Sequence, residues 1–143
     1  VRYLEGKVEG PRTAGSYIYD TFFPGMAKEQ AEITERLNRF EQEMSFDFIP
    51  GADFIADLHR NGVKTAVVTS SNEAKMAAVY RVHPEIKTLF DRILTAEMFT
   101  ASKPAPDCFL LGMEVFGTTP DTTYVFEDSF NGLKAAWLQE LPL

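Results

Sequence analysis

Three short apolar segments after Phe46 alternate with helical stretches, and the first and third run straight into clusters of polar groups. Residues 63–68 are apolar and β-branched toward their end and lead into Thr69-Ser70-Ser71-Asn72. Residues 92–95 form a second such run, and residues 123–126 a third, which leads into Glu127-Asp128. Short β-branched runs bounded by turn signals read as buried strands. Between them, helices are expected from Glu73 onward, over 106–116 with Gly117 as the stop, and from Gly132 to 138. Strands that alternate with helices of this length imply an α/β fold with a parallel sheet covered on both faces. Ligands of such sheets bind beyond the carboxyl ends of the strands, so chemistry is sought in the residues that follow each strand.

The first half of the chain differs. Residues 10–15 read as a loop, 16–23 as a short helix stopped by Pro24-Gly25, and 26–44 as a long amphipathic helix. In that last stretch Ile33, Leu37, Phe40 and Met44 recur at steps of three and four, as one helical face requires. After Phe46 a connector, Asp47-Phe48-Ile49-Pro50-Gly51, leads into a helix over 52–60. Two regions follow, 1–46 helical and 47–143 α/β.

Each strand end admits a functional and a plain structural reading. At Thr69-Ser70-Ser71-Asn72, hydroxyls and backbone amides before a helix offer donors to an anion; the same residues are also the preferred helix caps. Lys103 stands between Ser102 and Pro104, with Pro106 two residues on. Two prolines stiffen this segment, so the ammonium is held with little freedom and suits a phosphate and a neighbouring carboxylate. A solvated loop lysine before a helix fits the same letters. Glu127 and Asp128 place two like charges side by side at a strand end, an arrangement that a divalent cation with oxygen ligands relieves; an acidic turn that caps the next helix is the alternative.

Composition removes several other classes. The net charge of −7 argues against a nucleic-acid or acidic-membrane surface. One cysteine, Cys108, allows no intrachain disulfide, which fits a reducing, cytoplasmic setting. No stretch is long and apolar enough to span a bilayer, and no secretory signal stands at the start. His59 and His83 are isolated and give no zinc pattern. Cys108 reads as a small core residue, and the 12 phenylalanines and Trp137 are expected in the core.

Taken in order, Val67-Val68-Thr69, then Lys103-Pro104-x-Pro106-Asp107, then Phe126-Glu127-Asp128-Ser129-x-x-Gly132 resembles motifs two, three and four of the haloacid dehalogenase superfamily, in particular its β-phosphoglucomutase and phosphosugar-phosphatase branch. The resemblance implies a Rossmann-like core over 47–143, incomplete, with a small α-helical cap over 1–46. It implies that Thr69 is a phosphate-binding hydroxyl and that Lys103 bridges phosphate and nucleophile. Ser70 and Asn72 would lie beside the phosphate or substrate, and Arg12 in the cap is a further candidate substrate contact. Glu127 and Asp128 would help to hold Mg²⁺. The activity implied is Mg²⁺-dependent phosphoryl transfer through an aspartyl-phosphate, with hydrolysis of a small phosphorylated metabolite such as a sugar phosphate. A β-phosphoglucomutase-like isomerase and a non-catalytic binding module are the alternatives. The family's Asp-x-Asp nucleophile motif does not occur in the 143 residues. The chain is therefore expected to start inside the cap, to stop before the core is complete and to be inactive alone. Within that family the expected partner is the metabolite, with no nucleic acid or membrane, and the protein is expected to be a monomer that opens and closes.

Overall fold

The computed structural model describes residues 14–138, in two compact units divided between Met44 and Ser45. Arg12 lies outside the described residues.

The first unit is a pair of helices, α1 (Ala14–Phe22) and α2 (Ala27–Glu43). The Pro24-Gly25 turn separates them, as the sequence predicts. Tyr19 and Thr34 share a hydroxyl–hydroxyl hydrogen bond of 2.6 Å, and the Gln30 amide donates to the Phe23 carbonyl at 2.7 Å. Leu37 and Phe40 recur on the predicted apolar face of α2 but are 51% and 64% exposed. Packing therefore contributes little to α2. Its local support comes from Arg36–Glu32 and Arg39–Glu35 pairs four residues apart. Each such exposed pair stabilises by about 0.3–0.5 kcal/mol.

The second unit is α/β. Its elements are α3 (Asp53–Arg60), β1 (Ala66–Val68), α4 (Glu73–Val82), α5 (Ile86–Leu89), β2 (Arg92–Leu94), α6 (Asp107–Phe116) and α7 (Phe130–Trp137), with 3-10 turns at Ala96–Met98 and Pro120–Thr122. β1 and β2 pair in parallel, Val67 opposite Ile93, joined through α4 and α5. The predicted strand at 123–126 forms no ladder with the described residues. Its exposure nevertheless alternates as a strand's does, Tyr124 71%, Val125 8% and Phe126 77%. Apolar patterning fixes which side chains turn inward, whereas a strand also needs a neighbouring backbone to bond to. The largest core cluster joins Cys108, Phe109 and Met113 of α6 to Val125 and to Ala135 and Ala136 of α7, with Val68 of β1 packed against it. Two alanines without exposed surface let α7 approach this cluster closely. Gly117 closes α6 in the left-handed conformation at φ 64°, where glycine carries no side-chain penalty. Phe109 is buried in the core, but Trp137 (72% exposed) and Phe126 and Phe130 lie outside it, contrary to the expectation for aromatic residues.

At the opposite end of the sheet from the three polar clusters, Asp91 ties three elements together. It accepts from the Thr65 backbone N–H at 3.0 Å and from Lys64 Nζ at 3.1 Å, and His59 of α3 lies 3.6 Å away. The Thr65 N–H, then the Lys64 ammonium, hold the Asp91 carboxyl below its usual range. A depressed carboxyl contributes stability above the ordinary carboxylate range and loses it as pH falls through its folded value. Asp91→Ala should therefore lower the urea midpoint at pH 7, and the gap to wild type should close toward pH 3. A gap that stays constant with pH would assign Asp91 no electrostatic role.

Candidate active site

The ends of the first and third apolar runs, Val68 and Glu127, meet at one side chain, Lys103. Its ammonium donates to the Val68 carbonyl at 3.4 Å, at the end of β1, and to Glu127 Oε2 at 2.5 Å, at the end of the 123–126 segment. It also lies 5.0 Å from the centre of the Phe109 ring, within cation–π range. The lysine and glutamate side chains are each 11% exposed, so this is a largely desolvated ion pair. Lys103 reaches it from a loop braced by Ala105 N–H on Ser102 O and Ala101 N–H on the Asp107 carboxylate, with a cis Lys103–Pro104 peptide.

Glu127 is held at both oxygens. Oε2 takes Lys103, and Oε1 takes the Ser129 N–H at 3.1 Å and the Ser129 hydroxyl at 2.6 Å. Burial pushes the Glu127 carboxyl upward, but the hydrogen bonds from Lys103 and Ser129 and the lysine's charge more than offset this. The net result lies below the usual carboxylate range. Ser129 in turn caps α7 by accepting from the Gly132 N–H at 3.1 Å. Asp128, the next residue, is exposed.

The Thr69–Asn72 loop is latched to the end of β2. Thr69 N–H donates to Leu94 O, and Ala96 N–H to Ser71 O, both at 3.0 Å. Beyond them, buried Thr95 donates its hydroxyl to Glu73 Oε1, and Glu97 accepts from the Glu73 N–H. Asn72 caps α4 by accepting from the Lys75 N–H at 2.9 Å. Two of the first N–H donors of α4, those of Glu73 and Lys75, are thus used by Glu97 and Asn72. In the loop the Thr69 oxygen accepts from the Ser71 N–H at 3.0 Å, which leaves its O–H as a donor, and Ser70 is exposed.

The structure therefore brings Lys103 and Glu127 into contact and sets Lys103 on the residue that precedes Thr69. It gives Asn72 a capping role and places Asp128 at the surface. Sequence reasoning foresaw a lysine–carboxylate partnership but missed that Glu127 is the partner in the chain itself, and that Ser129 fixes it. The serine two residues beyond the glutamate is the available signal, since its N–H and hydroxyl both reach Glu127 Oε1. Asp91 was missed entirely; an aspartate before a strand carries no pattern of its own. Among the described residues no three His, Cys, Asp or Glu side chains form a metal-sized group, and no helix is long and apolar enough to cross a membrane.

A parallel strand–helix–strand unit with polar residues at the carboxyl ends of its strands, and a largely buried lysine that joins the end of β1 to Glu127, defines a Rossmann-like α/β scaffold. The chain belongs to the haloacid dehalogenase-like hydrolase family, whose profile matches residues 17–136. It is 35% identical over 107 residues to the CbbY protein of Cereibacter sphaeroides, covering 72% of this chain and 46% of the relative. It is 30% identical over 112 residues to a β-phosphoglucomutase of Mycobacterium tuberculosis, covering 78% and 42%. The crystal structure of a CbbY variant from Rhodobacter sphaeroides, in complex with xylulose-(1,5)-bisphosphate, superimposes with a TM-score of 0.66 at 31% identity, covering 81% of this chain and 53% of that one. The chain thus spans about half the length of these relatives.

Proposed function

We propose that the second unit carries the phosphate- and metal-binding half of a Mg²⁺-dependent phosphoryl-transfer site that acts on a small phosphorylated metabolite, most simply by hydrolysis of a sugar phosphate. The observation that carries this reading is Lys103 Nζ held between the ends of two chain segments, 3.4 Å from Val68 O and 2.5 Å from Glu127. A fixed cation at that junction stabilises the charge of a transferring phosphoryl group without reorganising during the reaction. The Thr69 hydroxyl and the Ser70 amide are the neighbouring donors, and Asn72 shapes the loop that presents them. The hydrolase family and the xylulose bisphosphate seen on the CbbY relative support a sugar phosphate as substrate.

The donor chemistry fits Mg²⁺, which is commonly held by one or two carboxylates together with water and phosphate oxygens. Asp128, exposed at the strand end, would hold it directly. Glu127 stands beside it but is committed through both oxygens to Lys103 and Ser129. When bound, the ion would neutralise phosphate charge. Residues 1–46 are proposed as the cap that selects the substrate. No Asp-x-Asp pair occurs in the 143 residues, so the chain alone is expected to bind but not to turn over.

Calorimetric titration with inorganic phosphate tests this reading. Saturable binding that strengthens with Mg²⁺ and is lost in Lys103→Ala is expected. Binding indifferent to both would replace it with a non-catalytic module. The β-phosphoglucomutase relative favours a second reading, transfer to a sugar hydroxyl in place of water. In the active protein, isomerisation of an aldose 1-phosphate without net phosphate release would select it.

A further inference from the structure

We propose that Gly132 is a positioning residue for Lys103: the missing side chain in the first turn of α7 is what lets Glu127 lie across the helix and hold the lysine ammonium. A Cβ built on Gly132 would stand 2.0 Å from Glu127 Cδ, 2.3 Å from Cγ and 2.3 Å from Oε2. These are its three nearest neighbours, and all belong to the one carboxylate that Lys103 bonds. Gly132 has no left-handed φ to accommodate, and it sits in a helix where alanine is the better former. Backbone conformation therefore gives no reason for glycine here; the space taken by Glu127 does.

Glu127 has nowhere to retreat without breaking what it makes. Lys103 Nζ, the Ser129 N–H and the Ser129 hydroxyl fix its two oxygens, and the same hydroxyl accepts from the Gly132 N–H. Gly132, Ser129, Glu127 and Lys103 thus form a chain of contacts from the start of α7 to the end of β1. A methyl group at position 132 expels the glutamate and frees the lysine. The consequence for phosphoryl transfer rests on the function proposed above; the steric linkage does not.

Two readouts that need no turnover test it. The first is acetylation of Lys103 by acetic anhydride, followed residue by residue by mass spectrometry. Gly132→Ala should raise its labelling at least to the level of Glu127→Gln, while the exposed Lys64 is unchanged. Unaltered Lys103 labelling overturns the proposal. The second is a thermal double-mutant cycle. Gly132→Ala should lower Tm in the wild-type chain but raise it, by about 2–4 °C, in a Glu127→Ala background, where the three clashing atoms are gone and the better helix propensity of alanine can show. A fall in both backgrounds would mean that Gly132 serves packing alone and would overturn the proposal. Should Gly132→Ala not fold, Glu127→Ala/Gly132→Ala must still fold, and its failure has the same force. Should Glu127→Ala itself be too unstable, the comparison is made in Glu127→Ala/Lys103→Met, which leaves no unpaired charge. Failure to bind phosphate or Mg²⁺ would sink the proposed function and leave these results standing.

Discussion

Lys103→Met is expected to lower the stability of the second unit by about 3 kcal/mol at neutral pH, the low end of the range for removing one partner of a buried ion pair. The low end is chosen because each side chain keeps 11% of its surface in water. Methionine retains an unbranched apolar stem, so most of the loss falls on Glu127, left charged and largely buried. The pH dependence separates this cause from lost packing. In the wild type the Glu127 carboxyl lies below its usual range, so its contribution is present above the ordinary carboxylate values and fades as pH falls through its folded value. Without the lysine, burial acts on the carboxyl with only Ser129 to oppose it, and its pKa rises. The variant therefore loses less stability than the wild type as pH falls, and acid narrows the difference between them. Urea unfolding should thus show the gap between the two proteins narrowing from pH 7 toward pH 4. A gap of constant size would assign the loss to the ammonium's contact with the Phe109 ring and to local packing. Replacing both partners, as Lys103→Met/Glu127→Leu, should recover much of the stability and none of the phosphate binding.

What the sequence made legible follows from how local each feature is. The start of α4, the end of β1 and the extent of α6 were readable because β-branched runs, the Asn72 cap and the Gly117 stop act within a few residues. Lys103 stood out for its prolines. The pairing of Lys103 with Glu127 joins residues 24 apart and depends on how α6 and α7 pack around Cys108 and the two alanines, which no local pattern encodes. For the same reason, Thr123–Phe126 reads as an apolar strand in the sequence but forms no ladder with the described residues, and the apolar face predicted for α2 is present in its spacing while Leu37 and Phe40 stay exposed. The expectation of phenylalanine in the core failed where Phe126 and Phe130 flank the acidic pair, because composition says how apolar a residue is and nothing about which neighbours reach it. Arg12 and the ends of the chain lie outside the described residues.

On the function proposed above, Asp128→Asn should abolish the response of phosphoryl transfer to Mg²⁺ while leaving the fold unchanged. The two neighbouring carboxylates are alike in chemistry and opposite in circumstance. Glu127 is buried, bonded at both oxygens and coupled to Lys103, so its loss is felt first as altered structure. Asp128 is exposed, and its replacement by an isosteric amide disturbs no buried charge; surface changes of that kind usually stay within about 0.5 kcal/mol. Yet the amide removes the negative charge that favours a divalent ion. Outer-shell partners of metal sites already contribute about 10–100-fold to affinity or activity, so a direct ligand should contribute at least 100-fold. The measurement is turnover against Mg²⁺ concentration, with Tm recorded on the same samples. Activity lost or shifted to far higher Mg²⁺ at unchanged Tm places the ion on Asp128. Unchanged turnover at every Mg²⁺ concentration would remove Asp128 from the metal site, and with it the reason for two adjacent carboxylates at the end of this segment.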